Sequence, residues 1–218
     1  MPDSPARRRP GRKTTGRAVL DSLVARLQKA DREFEEKIVS SEEVYRGRFM
    51  SLEHDEIERS DGQRSGRDIL VHPGAIVVAP VEPDGKLLLV IQYRTAAGGA
   101  LLELPAGTLD VHDGVTEDPE AAAHRELEEE TGRRAGKMER LGGFYSAPGI
   151  VTEYLTLFLA TDLRPAHDDR LAPDEDEQFD LVELTLDDGV AAVEAGVIED
   201  AKSVAGILWL DRRRREGK

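Results

Sequence analysis

Arg125-Glu126-Leu127-Glu128-Glu129-Glu130-Thr131-Gly132 places three carboxylates, Glu126, Glu129 and Glu130, on one side of a predicted helix, because residues three and four apart are neighbours on a helical surface. Like charges at that spacing cost about 0.2–0.5 kcal/mol per pair, so a helix gains nothing by crowding them. A solvated acidic face is the ordinary reading of such a run. A hard divalent cation reverses the sign of the effect. Mg²⁺ takes oxygen ligands, one or two carboxylates together with water and substrate phosphates. The stretch therefore points to a Mg²⁺ site that receives a phosphorylated substrate.

The flanks give the helix its ends and its context. Asp118 stands as N-cap before Pro119 at the first helical position, and Gly132 suits the position just past the C-terminus. Upstream lies Leu104-Pro105-Ala106-Gly107, and Glu117 precedes Arg125 with seven residues (118–124) between them. Together these residues resemble the Nudix box, the signature of the Nudix hydrolases: Gly, five residues, Glu, seven residues, then Arg-Glu-apolar-x-Glu-Glu-x-Gly-apolar. Two departures stand out. Nine residues (108–116) separate Gly107 from Glu117, which reads as a four-residue insertion in a surface loop around Val111-His112-Asp113-Gly114. Loops absorb such insertions at small entropic cost. Arg133 occupies the final apolar position, which leaves the packing beyond the helix open. Neither departure removes a carboxylate.

The resemblance covers about residues 70–210 and implies an α+β fold, a mixed sheet sandwiched between helices, here with an N-terminal β-rich extension. It implies that Glu126 and Glu130 are the leading metal ligands, with Glu129 a third and the backbone carbonyl of Ala106 a further one. The metal would be Mg²⁺, with Mn²⁺ as the alternative. Gly107, Glu117, Arg125 and Gly132 take structural parts, Glu117 pairing with Arg125 as scaffolding. A general base must also reach the attacking water. Asp174-Glu175-Asp176-Glu177 reads on its own as a solvated loop ahead of a strand. Within the resemblance it lies where the ADP-ribose pyrophosphatase branch carries a catalytic Glu. Glu177 matches best and Glu175 is the reserve; Glu129 is the other candidate for orienting the water.

Three further segments resemble that branch: Ser146-Ala147-Pro148-Gly149 followed by Thr152-Glu153, Gln92-Tyr93-Arg94, and Ile198-Glu199-Asp200-Ala201-Lys202-Ser203. The branch implies hydrolysis of ADP-ribose to AMP and ribose 5-phosphate. Another nucleoside diphosphate sugar, such as GDP-mannose or ADP-glucose, is the alternative substrate, and an ADP-ribose sensor without catalysis is the alternative of another class. Arg67, Arg94, Glu103 and Pro148 are the substrate-side candidates, the arginines because a guanidinium suits bidentate oxygen recognition. An ordinary structural arginine is the competing reading for each. The branch also implies a homodimer in which residues 42–70 help to build the partner's site.

Composition sets the outer bounds. A length of 218 residues suffices for one domain plus an appendage, and the expected organisation is a basic tail (1–17), a helix and strand region for dimerisation (18–70) and the hydrolase domain (71–218). The tail carries Arg7, Arg8, Arg9, Arg12, Lys13 and Arg17 among prolines, a composition that favours disorder. The net charge of −14 argues against general nucleic-acid affinity, which needs a basic footprint. No apolar run reaches the roughly 18–20 residues of a membrane span. With no cysteine, thiol chemistry is excluded, and a cytoplasmic location is expected. Helical spacing runs over 18–38, short strands over 42–69 with a turn at Ser60-Asp61-Gly62, and a hairpin over Ala75–Ala79 and Lys86–Arg94 around Pro83-Asp84-Gly85. Leu101–Leu104 is extended. Strands are then expected near 139–145, 152–160 and 179–184, and helices near 187–195 and 203–214.

Overall fold

Leu20, Leu23, Val24 and Leu27 recur at helical spacing, and the chain is helical from Ala18 to Glu33 (α1) in the computed structural model, which describes residues 16–166, 171 and 178–217. The basic tail before Gly16 and the cluster from Asp174 to Glu177 lie outside the described residues. The helix ends before the expected position 38 because Ile38, Val39, Val44 and Tyr45, residues suited to a pleated surface, enter the strand Glu36–Arg46 (β1) instead. β2 (Ser51–Arg59) and β3 (Arg64–Val71) complete a three-stranded antiparallel meander. Gly62 at φ +79 and the Asp61 carboxylate, which accepts from Gln63 N, shape the turn between them. These elements form one compact unit, up to His72, that also takes in Ala147–Glu153. The latter segment runs beside β3: Leu70 N donates to Ile150 O and Thr152 N to Leu70 O. Thr152 Oγ1 accepts from His72 N at 2.9 Å. The stretch containing Pro148 is thus a short edge of the N-terminal unit, although it follows Gly132 in sequence.

The second unit comprises Pro73–Ser146 and the described residues from Tyr154 onward. In chain order it holds β4 (Ala75–Pro80), β5 (Leu87–Arg94), β6 (Gly99–Glu103), β7 (Ala106–Thr108), β8 (Val111–His112), β9 (Val115–Thr116), α2 (Pro119–Thr131), β10 (Arg133–Tyr145), β11 (Tyr154–Pro165), β12 (Asp180–Leu184), α3 (Leu186–Glu194) and α4 (Ala201–Arg215). One sheet has the order β10-β11-β4-β7 and is mixed, with β11 and β4 parallel and the other pairs antiparallel. The second is antiparallel, β12-β5-β6.

The expected hairpin of β4 and β5 does not form. The turn is there, with Gly85 at φ +87, but after the single Val81–Leu87 bridge the two strands enter different sheets. The reason is their composition. Ala75–Pro80 and Leu87–Val90 are buried throughout, and a strand apolar on both faces needs cover on both. Facing each other from two sheets gives both strands that cover. Ala75, Val77 and Ala79 meet Leu87, Leu89, Leu157, Ile207 and Leu210 on one side of β4. Ile76 and Val78 meet Ala122, Ala123, Leu127 and Phe158 on the other. Helix α2 thus covers one face of the mixed sheet, and β5 with α4 covers the other. Each fully buried Leu or Phe in these layers contributes about 1.5–3 kcal/mol.

The residues after Gly107 are not an irregular loop but the small hairpin β8–β9, turned by Asp113 (φ 50) and Gly114 (φ 77), the left-handed pair that a two-residue hairpin turn requires. Arg133, the charged residue in an apolar position, opens β10 and directs Nε to Glu82 Oε1 at 2.7 Å. An ion pair takes the place of apolar packing there.

Candidate active site

The carboxylate helix is fixed at both ends as its sequence demands. The Asp118 side chain accepts from Glu120 N and Ala121 N, a cap that contributes about 1 kcal/mol, and Gly132 closes the helix in the left-handed conformation (φ 66). Leu127, fully buried, pins the helix to the sheet, and truncating such a side chain costs about 2–5 kcal/mol. Its orientation decides where the neighbouring carboxylates go.

Glu126 and Glu130, one turn apart, are buried against β7. Glu130 Oε2 accepts from Ala106 N at 3.2 Å. The Glu126 carboxylate lies over Gly107, so closely that a Cβ there would come within 1.8 Å of Oε1. Glycine leaves the room in which that carboxylate lies, and any side chain there would displace it. Glu129 lies nearer the surface, with its side chain one-fifth exposed.

Arg125 organises this face. Its Nη2 donates to Glu117 Oε2 at 2.9 Å and its Nε to Glu117 Oε1 at 3.2 Å, while Nη1 donates to both Glu126 and Glu129 at 2.8 Å. Hydrogen bonding to Glu117, reinforced by the Glu126 and Glu129 charges, holds the guanidinium firmly in its charged form. Burial pushes the Glu117 carboxyl up, but the hydrogen bonds and charge of Arg125 prevail and leave it below its ordinary value. The Glu117–Arg125 pair is thus a brace on the carboxylate face. Arg125 bonds three of the four carboxylates Glu117, Glu126, Glu129 and Glu130, and the charge of Arg94 acts on the fourth, Glu130.

That donor set fits a hard dication. It consists only of oxygen, and two of its carboxylates converge on one strand. Among the described residues no three acidic or histidine side chains are already gathered at a single metal-sized point. Mg²⁺ does not demand such a cage, since it retains water and binds through one or two carboxylates plus substrate phosphates. Glu126 and Glu130, with Glu129 beside them and Ala106 on the facing strand, are the residues that would hold it.

The other sequence candidates divide between the units. Arg94 and Glu103 belong with the carboxylate face. Glu103 is almost fully buried and accepts from Arg94 Nε at 2.9 Å and Arg94 Nη2 at 2.7 Å. Burial alone raises its pKa, but the bonds from Arg94 and the charge of Lys202 more than offset this and hold the carboxyl below its ordinary value. Arg67 and Pro148 lie in the N-terminal unit, where Arg67 Nε donates to Glu36 Oε2 at 3.1 Å. Glu175 and Glu177 lie outside the described residues.

Two partnerships escaped the sequence. Glu128, within the acidic run, points away from the other three: it accepts from Arg134 Nε and Nη2 at 2.7 Å each and from Leu171 N at 3.0 Å. Its burial makes it a structural acid. Lys202 donates to Glu103 and to Asp200 Oδ2. The Asp200-x-x-Ser203 spacing signals a helix cap, but nothing in it names a partner 99 residues earlier.

The chain is similar to known proteins in both sequence and fold. Residues 70–205 match the profile described as NUDIX domain, and residues 36–69 match the one described as nucleoside diphosphate sugar hydrolase N-terminal domain. The methanol dehydrogenase activator of Bacillus methanolicus is 38% identical over 177 residues, 81% of this chain and 93% of its own. The ADP-ribose pyrophosphatase of Bacillus subtilis (strain 168) is 38% identical over 176 residues, 81% of this chain and 92% of its own. The crystal structure of an ADP compounds hydrolase superposes with a TM-score of 0.73 at 25% identity, over 84% of this chain and 96% of that one. With the box carboxylates in place on α2 and the domain profile spanning well over half of its residues, the chain belongs to the Nudix family.

Proposed function

We propose that this chain hydrolyses the diphosphate of ADP-ribose to AMP and ribose 5-phosphate, by metal-dependent attack of water on phosphorus. The observation that carries the reading is the convergence of Glu126 and Glu130 on Ala106–Gly107, in a chain with a relative named ADP-ribose pyrophosphatase over most of both lengths. A bound Mg²⁺, or Mn²⁺ in its place, would supply neutralisation of the diphosphate and an acidified water. The chain's own part is positioning. Arg125 holds Glu126 and Glu129 in place, and Glu129 is set to orient the water. Glu177, or Glu175, is the proposed proton acceptor from the acidic segment. Arg94 commits Nε and Nη2 to Glu103, so Nη1 is the nitrogen it offers to a phosphate. Arg67 is assigned to the phosphates or the terminal ribose and Pro148 to the substrate side through a homodimer, with the N-terminal strands of one protomer serving its partner. A cytoplasmic location belongs to the same reading; among the described residues no helix is long and apolar enough to cross a membrane.

The test is hydrolysis of a panel comprising ADP-ribose, GDP-mannose, ADP-glucose, NADH and a nucleoside triphosphate, with Mg²⁺ and with EDTA. Metal-dependent release of AMP, fastest from ADP-ribose, is expected. Faster turnover of another substrate would overturn the substrate assignment. Tight ADP-ribose binding without turnover would convert the reading to a sensor.

A further inference from the structure

Residues Glu103 to Gly107 are held one after another. The Glu103 carboxylate is gripped by Arg94 and Lys202. Leu104 N donates to Ser203 Oγ at 2.7 Å. Pro105 O accepts from Val78 N at 2.8 Å. Ala106 N donates to Glu130, and Gly107 lies beneath Glu126. Two of these grips come from the first turn of α4. There the Asp200 carboxylate accepts from Ser203 N at 3.0 Å, Ser203 Oγ at 2.6 Å and Lys202 Nζ at 2.9 Å. The hydroxyl of Ser203 donates to Asp200 and accepts from Leu104, which uses its one proton and fixes its direction. One turn further on, α4 closes on the same residue. A Cβ at Gly206 would meet Leu104 Cδ1 at 2.5 Å.

The arrangement exceeds what capping requires. Asp200 alone caps α4, and Ser203 could serve the helix without touching Leu104. Instead the turn presents a buried hydroxyl and a nearly buried ammonium to the two residues that lead into the metal-facing strand. Arg94 and Lys202 face Glu103 and Asp200, and the charge of Arg94 also reaches Glu130 on the carboxylate face, which couples the cluster to it. A compact ammonium with three donors can bridge two carboxylates, Glu103 and Asp200.

We propose that Lys202 and Ser203, oriented by Asp200, are positioning residues for the metal site: the first turn of α4 sets the placement of Glu103–Gly107 beneath Glu126 and Glu130. The inference rests on the reading of Glu126 and Glu130 as metal ligands. Groups behind metal ligands typically change metal affinity about 10–100-fold when removed.

The experiment titrates wild type, Lys202→Met and Ser203→Ala with Mn²⁺, following free Mn²⁺ by electron paramagnetic resonance in the absence of nucleotide, with melting temperature and steady-state kinetics beside it. Lys202→Met is expected to weaken Mn²⁺ binding about tenfold or more. Ser203→Ala, which keeps every charge, is expected to weaken it severalfold. Both should raise the metal concentration for half-maximal turnover more than they change KM for ADP-ribose at saturating metal. A purely structural role would lower the melting temperature and leave Mn²⁺ affinity within about twofold of wild type; that result overturns the proposal. If Lys202→Met does not fold, the Ser203→Ala affinity decides by the same criterion. Wild type that binds no Mn²⁺ would instead overturn the metal reading itself, and this proposal with it.

Discussion

Gly107→Ala is the substitution on which the geometry of the site speaks most directly. The added methyl would lie 1.8 Å from Glu126 Oε1 and 2.0 Å from its carboxyl carbon. Ordinary contact needs about 3.5 Å, so one group must move by about 1.5 Å. The backbone of β7 is held on its far side by pairing with Ile76, whereas Glu126 is the end of a flexible side chain. Glu126 should therefore swing away, abandoning its bond to Arg125 Nη1. A lost hydrogen bond to a charged partner costs about 1.5–3 kcal/mol, and alanine recovers part of this because glycine weakens a strand. Net destabilisation of about 1–2 kcal/mol is expected, a fall in melting temperature of about 2–8 °C for a chain of this size. Activity should suffer far more. A misplacement of about 1 Å in a catalytic constellation can cost 10²-fold, so kcat/KM should drop at least that much, about 2.7 kcal/mol in the transition state. The assay is ADP-ribose hydrolysis across a Mg²⁺ series, with circular dichroism to confirm the fold. A folded variant that keeps kcat/KM within about threefold of wild type would refute the argument, because Glu126 would then not need the space above Gly107.

Three other outcomes are expected. Glu126→Gln, which preserves shape and removes charge, should reduce turnover by orders of magnitude with the fold intact; near-normal kcat at saturating Mg²⁺ would remove Glu126 from the metal site. Glu177→Gln should lower kcat more than it alters KM, and if Glu175→Gln alone does so, the base belongs at that position. The third concerns acid. Arg94 and Lys202 hold the Glu103 pKa below that of an unfolded chain, so its contribution to stability is complete above the unfolded carboxylate value of about 4.3 and is lost as pH falls through the lower folded value. Urea denaturation of wild type and Glu103→Gln should show a stability gap at neutral pH that narrows below about pH 4.3. A gap that stays constant into acid would show that the carboxylate charge of Glu103 is not what stabilises the cluster.

Much of this molecule is written locally in its chain. The spacing of Glu126, Glu129 and Glu130, the Asp118 cap with Pro119, and Gly132 past the helix end are decided within one or two turns, and the helix follows them closely. The Glu117–Arg125 brace spans eight residues, and the resemblance to the Nudix box, not the local spacing, pointed to it. Turns at Gly62 and Gly85 could be located because positive φ singles out glycine, whereas the hairpin turn at Gly114 read only as a loop insertion. What a turn joins could not be read so directly: β4 and β5 leave a well-signalled turn for different sheets, since a doubly apolar strand seeks cover from wherever the chain supplies it. Helical spacing already set Glu128 apart from Glu126, Glu129 and Glu130, but it could not name its partners, because those depend on where Arg134 and Leu171 arrive. The same limit hid Lys202, whose partner Glu103 lies 99 residues away. The sequence by itself determined the helix, its caps and its carboxylate face, because these depend on neighbours along the chain. Only the tertiary structure decided which carboxylates meet Ala106–Gly107 and what holds that strand beneath them, because such pairings form when distant segments pack and each buried charge must find its partner there.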